Sequence, residues 1–266
     1  MSNLLKRLMA RHGAFLAVIA ALLAGFEYLI CAIVATVNVR GMLEELIKNL
    51  PPFARTLVEQ QFFGGLGPAG ILAFGWNHPI TLALGTAVAI VLATRAVAGE
   101  IETGAVELVL SQPISRLRYF VAQVLFALLA LSALIAVGAC GTLLGQLVYG
   151  IHVLGAGTLF SIGLNYLLLQ SAWFGITLVI SVFGREAGRV AATGFVLALV
   201  SYVLQVIAQL WTKATPLHRY SVFGYYSPLD IVTRHHVPAK SAAVLLCLII
   251  VAIALSAWRF LRRDIP

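Results

Sequence analysis

Charge is what this sequence has least of. Only 11% of its 266 residues are Asp, Glu, Lys or Arg, against about 25% in an ordinary soluble domain, and none lies between Tyr119 and Gly184. A water-facing surface cannot be built from so few charges, so a soluble globular domain is excluded. Cysteine is scarce as well: Cys31, Cys140 and Cys247 stand far apart inside apolar runs, with no Cys-x-x-Cys or Cys/His spacing. That excludes a zinc module or a disulfide framework and leaves packing as their role. There is no Gly-x-x-x-x-Gly-Lys-Ser/Thr loop, nor any Gly-Lys pair, so the cradle and lysine that hold nucleotide phosphates are missing. No Ser, Cys or carboxylate pair has a recognisable catalytic context, and no catalytic residue is assigned. The energy for any work must come from another chain or from an ion gradient.

Apolar sequence is what is present. Hydrophobic residues make up 61% of the chain, and mean hydropathy is +0.98. A helix crossing hydrocarbon needs about 20 mostly apolar residues. Six segments qualify, at 14–37, 79–97, 119–149, 158–183, 190–212 and 241–260. The break between the third and fourth rests on Gly150, His152, Gly155 and Gly157 alone. The first run is longer than the roughly 7–15 residues of a cleavable signal and is read as a retained span. The fold expected is an all-α membrane protein forming one domain over 1–266.

An even number of spans puts both termini on one side. With the N-terminus inside, eleven of the 18 Lys and Arg residues fall in the short segments 1–13, 95–118, 184–189 and 259–266. By the positive-inside rule this places the termini and the 95–118 segment in the cytoplasm, as in an inner-membrane protein. The net charge of +8 is dispersed among span ends, with no basic patch interleaved with aromatics, so nucleic acid is not expected as a partner.

Residues 1–13 set Leu4, Leu5, Leu8 and Met9 against Lys6, Arg7 and Arg11, the pattern of an amphipathic elbow helix lying in the interface. A frayed basic tail that only serves orientation is the other reading. The outer insert 38–78 carries apolar residues at helical spacing over 42–50 and 53–63, broken by Pro51-Pro52, before a glycine-rich return at 64–70. A second outer loop, 213–240, offers Trp211, Tyr220, Tyr225 and Tyr226 to the aromatic belt.

The densest charge lies at 98–118. Continued helix beyond Arg95 would align Glu100, Gly104, Glu107 and Ser111 on one face and Val106, Val109 and Pro113 on another. Pro113 would end it, and Ser115 would cap the third span. A solvated connector is the plainer alternative. The residues themselves, Arg95, Gly99-Glu100, Glu102, Gly104, Glu107-Leu108 and Ser111-Gln112-Pro113-Ile114-Ser115-Arg116, resemble the cytoplasmic signature of permeases of type-2, exporter-type ABC transporters. The resemblance implies six spans, an elbow helix and a cytoplasmic coupling helix that docks on a separate nucleotide-binding ATPase subunit, which would hold ATP and Mg. It also implies a second permease half, with symmetric homodimer pairing the commoner form. Arg95, Glu100, Glu102, Gly104, Glu107, Pro113, Arg116 and Arg118 would then make or orient the coupling contacts. Ala105 and Gln123 depart from the residues common in that family.

Three further features invite roles. Glu27 lies near the middle of the first span, where a charge costs at least about 2.5 kcal/mol. It would serve the translocation path or a proton-coupled secondary transporter, or else bond as a neutral acid to a neighbouring helix. Asp230, His235 and His236 raise a membrane enzyme with an outer Asp/His site, but adjacent histidines lack the i, i+4 spacing of a metal pair, and no metal site is assigned. Gly138, Gly141 and Gly145 would let helices pack closely in the third span. The substrate is not encoded in any of these features.

Overall fold

The apolar runs become helices, and the computed structural model describes residues 2–37, 48, 51, 68–104 and 115–263. In chain order these are α1 (Ser2–Thr36), α2 (Pro68–Asn77), α3 (Pro79–Ala96), α4 (Ala98–Glu102), α5 (Arg116–Val148), α6 (Ala156–Phe183), α7 (Ala187–Leu210), α8 (Pro228–Arg234) and α9 (Ala239–Arg262). Two 3-10 segments, Thr212–Tyr220 and Phe223–Tyr225, lie between α7 and α8. There is no strand among the described residues. Six helical units are long and apolar enough to cross a membrane, α2 and α3 counting as one. The protein is therefore an all-helical, multi-pass membrane protein. The helical stretches proposed over 42–50 and 53–63 lie outside the described residues, 48 and 51 apart.

The first helix is longer than its span requires. At 35 residues it extends roughly 52 Å, well beyond a hydrocarbon core of about 30 Å. Residues 2–13 thus form no separate elbow; they continue into the span without a break. The reason is that their apolar face has a protein partner. Leu8 is buried, Leu4 and Leu5 pack against the core, and Met9 points outward. Farther along, α1 lies on α5 through the glycine stripe. A Cβ on Gly141 would come within 2.3 Å of the Ala24 carbonyl oxygen, and one on Gly145 within 2.6 Å of Cys31 Cβ. Cys31 is buried there, whereas Cys140 and Cys247 are exposed and do not pack in the core.

The second span begins eleven residues before the segment expected for it. α2, assigned from sequence to the insert 38–78, buries Leu72, Ala73 and Trp76. It breaks at His78, whose Nδ1 accepts from Ile80 N at 3.2 Å. Pro79 then opens α3, a position where its missing N–H costs nothing. The uncharged boundary falls where the glycines put it. Gly150 adopts φ +66, and Ile151 N donates back to Gln146 O at 3.0 Å, the left-handed closure that ends a helix.

Within the second span, α3 is held between α5, α6 and α7, and α9 packs on α6. The end of the bundle that carries Ser2 and Arg263 is here the proximal end. At the distal end the 213–240 segment folds onto the bundle. Trp211 and Tyr220 are exposed as an aromatic belt requires, at 59% and 72%. Tyr226 is instead a core residue, its Oη donating to Trp76 O at 2.9 Å. Burial, then Tyr166 and Glu27, push its hydroxyl well above the ordinary tyrosine range, so it remains a donor.

Candidate coupling site

At the proximal end, α3 does not run on as the long docking helix that the spacing suggested. Val97 (φ −130, ψ −63) interrupts it, and α4 lasts only five residues. Gly104, at φ +66, ends it in the left-handed region, where a side chain would be strained. Nothing lies within 4 Å of a Cβ built there. Backbone conformation therefore accounts for this glycine better than a notch for close approach within the chain.

Both acidic residues of this turn bond within the chain, Glu100 buried and Glu102 at the surface. Glu100 is only 3% exposed and forms an ion pair with Arg11 of α1. Glu102 reaches α7, where its Oε2 accepts the Ala187 backbone N–H at 2.8 Å. Ser181 of α6 bridges the interruption at Val97. Its Oγ accepts from Ala98 N at 3.0 Å and donates to Thr94 O at 3.2 Å. One short turn is thus fastened to α1, α6 and α7 as well as to its own span.

The basic residues divide. Arg95 and the side chain of Arg118 are exposed. Arg116 Nη1 donates to Arg263 O at 2.6 Å, and Arg263 Nη1 donates to Val182 O at 2.7 Å. These bonds tie the starts of α5 and the end of α9 to α6. Burial, together with Arg259 and Arg185, draws the Arg263 pKa down from its usual value. Ser115 caps α5 as its sequence position suggested, accepting from Arg118 N at 3.3 Å. Glu107 and Pro113 lie outside the described residues. Ser181 and Arg263 were not singled out in the sequence. A polar residue near the end of an apolar run was the signal for Ser181; for Arg263, one of several cations at a span end, no local pattern gave it away.

The other singled-out residues sit elsewhere. Glu27 is 1% exposed. The Thr81 hydroxyl lies between it and a backbone carbonyl, 3.1 Å from Glu27 Oε1 and 2.9 Å from Gly75 O. Asp230 is exposed, His235 bonds through Nδ1 to Thr158 Oγ1 at 3.2 Å, and His236 Nδ1 lies 2.7 Å from Arg234 O. Among the described residues no three His, Cys, Asp or Glu side chains come together as metal ligands would.

Two cavities flank α7. One of about 260 Å3 lies between α3 and α7, lined by Pro79, Leu82, Ala83, Thr86, Phe195, Ala198, Leu199, Tyr202 and Phe223. The other, of about 390 Å3, lies farther towards the distal end, where Gln205, Gln209, Asn77, Tyr226 and Asp230 line it. The first is almost wholly apolar and the second carries a larger polar share, so the lining is graded from the bundle's middle to its distal mouth. Glu27 lines neither.

A family model described as "ABC-2 family transporter protein" matches residues 9–265 of the sequence. No curated protein matches it.

Proposed function

The chain belongs to the ABC-2 family of transporter proteins, so that it is a membrane permease component of an ABC transporter with an ATPase partner, and from that premise we propose that it works as the permease subunit of an exporter in the cytoplasmic membrane. Both termini face the cytoplasm in this reading. A separate nucleotide-binding subunit, holding ATP and Mg, docks on the 98–118 segment, and two permease halves, most simply identical copies, form the pathway. ATP binding and hydrolysis in the docked subunit tilt the spans and alternate access between the two sides.

The observation that carries the reading is the fastening of α4. A turn tied to α1, α6 and α7 passes a push on one short segment to several spans at once, as a docked motor requires. Since Glu100 and Glu102 are engaged within the chain, the contact with the ATPase is assigned to Arg95 and Arg118, which are exposed, and to Glu107. Gly104 shapes the end of α4, Pro113 keeps its place in the proposed docking segment, and Arg116 orients that segment through Arg263. The graded groove beside α7 is the path proposed for the cargo. Its apolar wall and polar mouth suit a molecule with both characters.

The test is co-purification. The chain is expected to bring down an ATPase subunit, and Arg118→Glu should cut that yield roughly tenfold, the effect of losing about 1.4 kcal/mol of contact energy. Full retention of the ATPase by both Arg118→Glu and Arg95→Glu would remove the docking site from this face. A proton-coupled carrier working through Glu27 remains the second reading, favoured only by that residue's burial in the membrane. It requires transport to be lost in Glu27→Gln.

A further inference from the structure

We propose that Glu102 is a positioning residue that makes α7 a lever, so that movement of the 98–118 segment swings the wall of the groove between α3 and α7. This rests on the reading of that segment as the ATPase docking site. It assigns Glu102 a different task from the one the resemblance implies, a bond within the chain in place of a contact with the partner.

The start of α7 has no cap of its own. Glu186 occupies the N-cap position without capping, and its carboxylate pairs instead with Arg189 at 2.8 Å. The first amide of the helix, Ala187 N, is bound by Glu102, 85 residues earlier in the chain. A helix N-terminus holds unpaired N–H groups and a partial positive charge, so a carboxylate on α4 grips it by bonding and by charge together.

Two turns farther along is a fulcrum. A Cβ on Gly194 would lie 3.1 Å from Thr177 Oγ1 of α6 and 3.2 Å from Ile90 Cγ2 of α3. α7 is pressed against both neighbours at that point. Beyond it, Phe195, Ala198, Leu199 and Tyr202 wall the groove, while much of the remaining surface of α7 is exposed. Effort at Ala187, pivot at Gly194 and load from Phe195 to Tyr202 follow in order along one helix. Displacing α4 therefore moves the proximal end of α7 one way and the groove wall the other, without unfolding any element.

Two variants separate this bond from a contact with the ATPase. Glu102→Gln keeps an acceptor oxygen at the same reach but loses the charge. Glu102→Asp keeps the charge and falls one methylene short. Spin labels are placed at Ala83→Cys and Leu199→Cys, on facing walls of the groove, after replacing the three native cysteines. The full chain is then reconstituted with its ATPase subunit in nanodiscs, and the label distance is measured with and without a trapped nucleotide. Wild type and Glu102→Gln should show a nucleotide-dependent change in distance, and Glu102→Asp should lose it while the ATPase stays bound. A change preserved in Glu102→Asp overturns the lever. Loss of the ATPase from Glu102→Asp, Glu102→Gln or both also overturns it, by making Glu102 a docking residue. If the wild-type chain binds no ATPase at all, the docking reading itself fails and the lever with it.

Discussion

Glu27 shows how a single residue changes meaning between sequence and structure. In the sequence an acid within an apolar run stands out as a functional group. In the bundle it is enclosed, with Thr81 on one side and Gly75 near its other oxygen, a Cβ there lying 3.1 Å from Oε2. The Thr81 hydroxyl has one hydrogen and two acceptors in reach, Gly75 O being the nearer. An amide of the same length could donate to Thr81 and free that hydrogen for the carbonyl. Glu27→Gln is therefore expected to leave the thermal midpoint of the detergent-solubilised chain near wild type and to sustain transport. Glu27→Ala should lower stability by about 2 kcal/mol, since it empties a packed site and removes a buried hydrogen-bond partner. Transport lost in Glu27→Gln with unchanged stability would restore the carboxyl as a working group.

Among elements, the contact between α1 and α5 depends on absent side chains. A Cβ on Gly141 would come within 2.3 Å of the Ala24 carbonyl oxygen, while one on Gly138 would meet the Leu23 side chain at 2.9 Å. Backbone cannot step aside, but a leucine can change rotamer. Gly141→Ala should therefore destabilise by about 1–3 kcal/mol, the usual cost of overfilling a tight interface, and Gly138→Ala by distinctly less. Thermal unfolding followed by size-exclusion of the solubilised protein would rank them, and equal effects would mean that the helices separate easily. The sequence disclosed this stripe because small residues at one-turn spacing make a local pattern. It disclosed the six spans, the break near Gly150 and the Ser115 cap for the same reason. It did not disclose that α1 is continuous, because nothing in residues 1–13 records that Leu4, Leu5 and Leu8 find protein in place of lipid. Nor did it show that Glu100 and Glu102 bond within the chain: Arg11 and Ala187 lie 89 and 85 residues away, and helical spacing carries no information about partners at that distance.

For the whole molecule, charge decides orientation and orientation decides which face an ATPase can reach. The proximal end gathers the fastenings of α4 together with Arg116 and Arg263. The distal end presents Trp211, Tyr220 and the polar mouth with Asp230. A cytosolic motor can pull only on the first, and cargo can leave only by the second, so the proposed direction of transport stands or falls with the side on which each lies. The exposed positions Arg118 and Tyr220 make this measurable. In a chain freed of its native cysteines, Arg118→Cys should react with a membrane-impermeant maleimide only after the cells are opened, and Tyr220→Cys should react in intact cells. The reversed pattern would put α4 beyond the reach of any cytosolic ATPase and end the coupling proposal. Labelling of both sites from outside would mean that the chain crosses the membrane an even number of times between them, which the three spans α5, α6 and α7 allow only if one of them failed to insert. If the failed span were α6, which has the largest share of buried residues among the six, the anchorage of α4 at Ser181 would be lost with it.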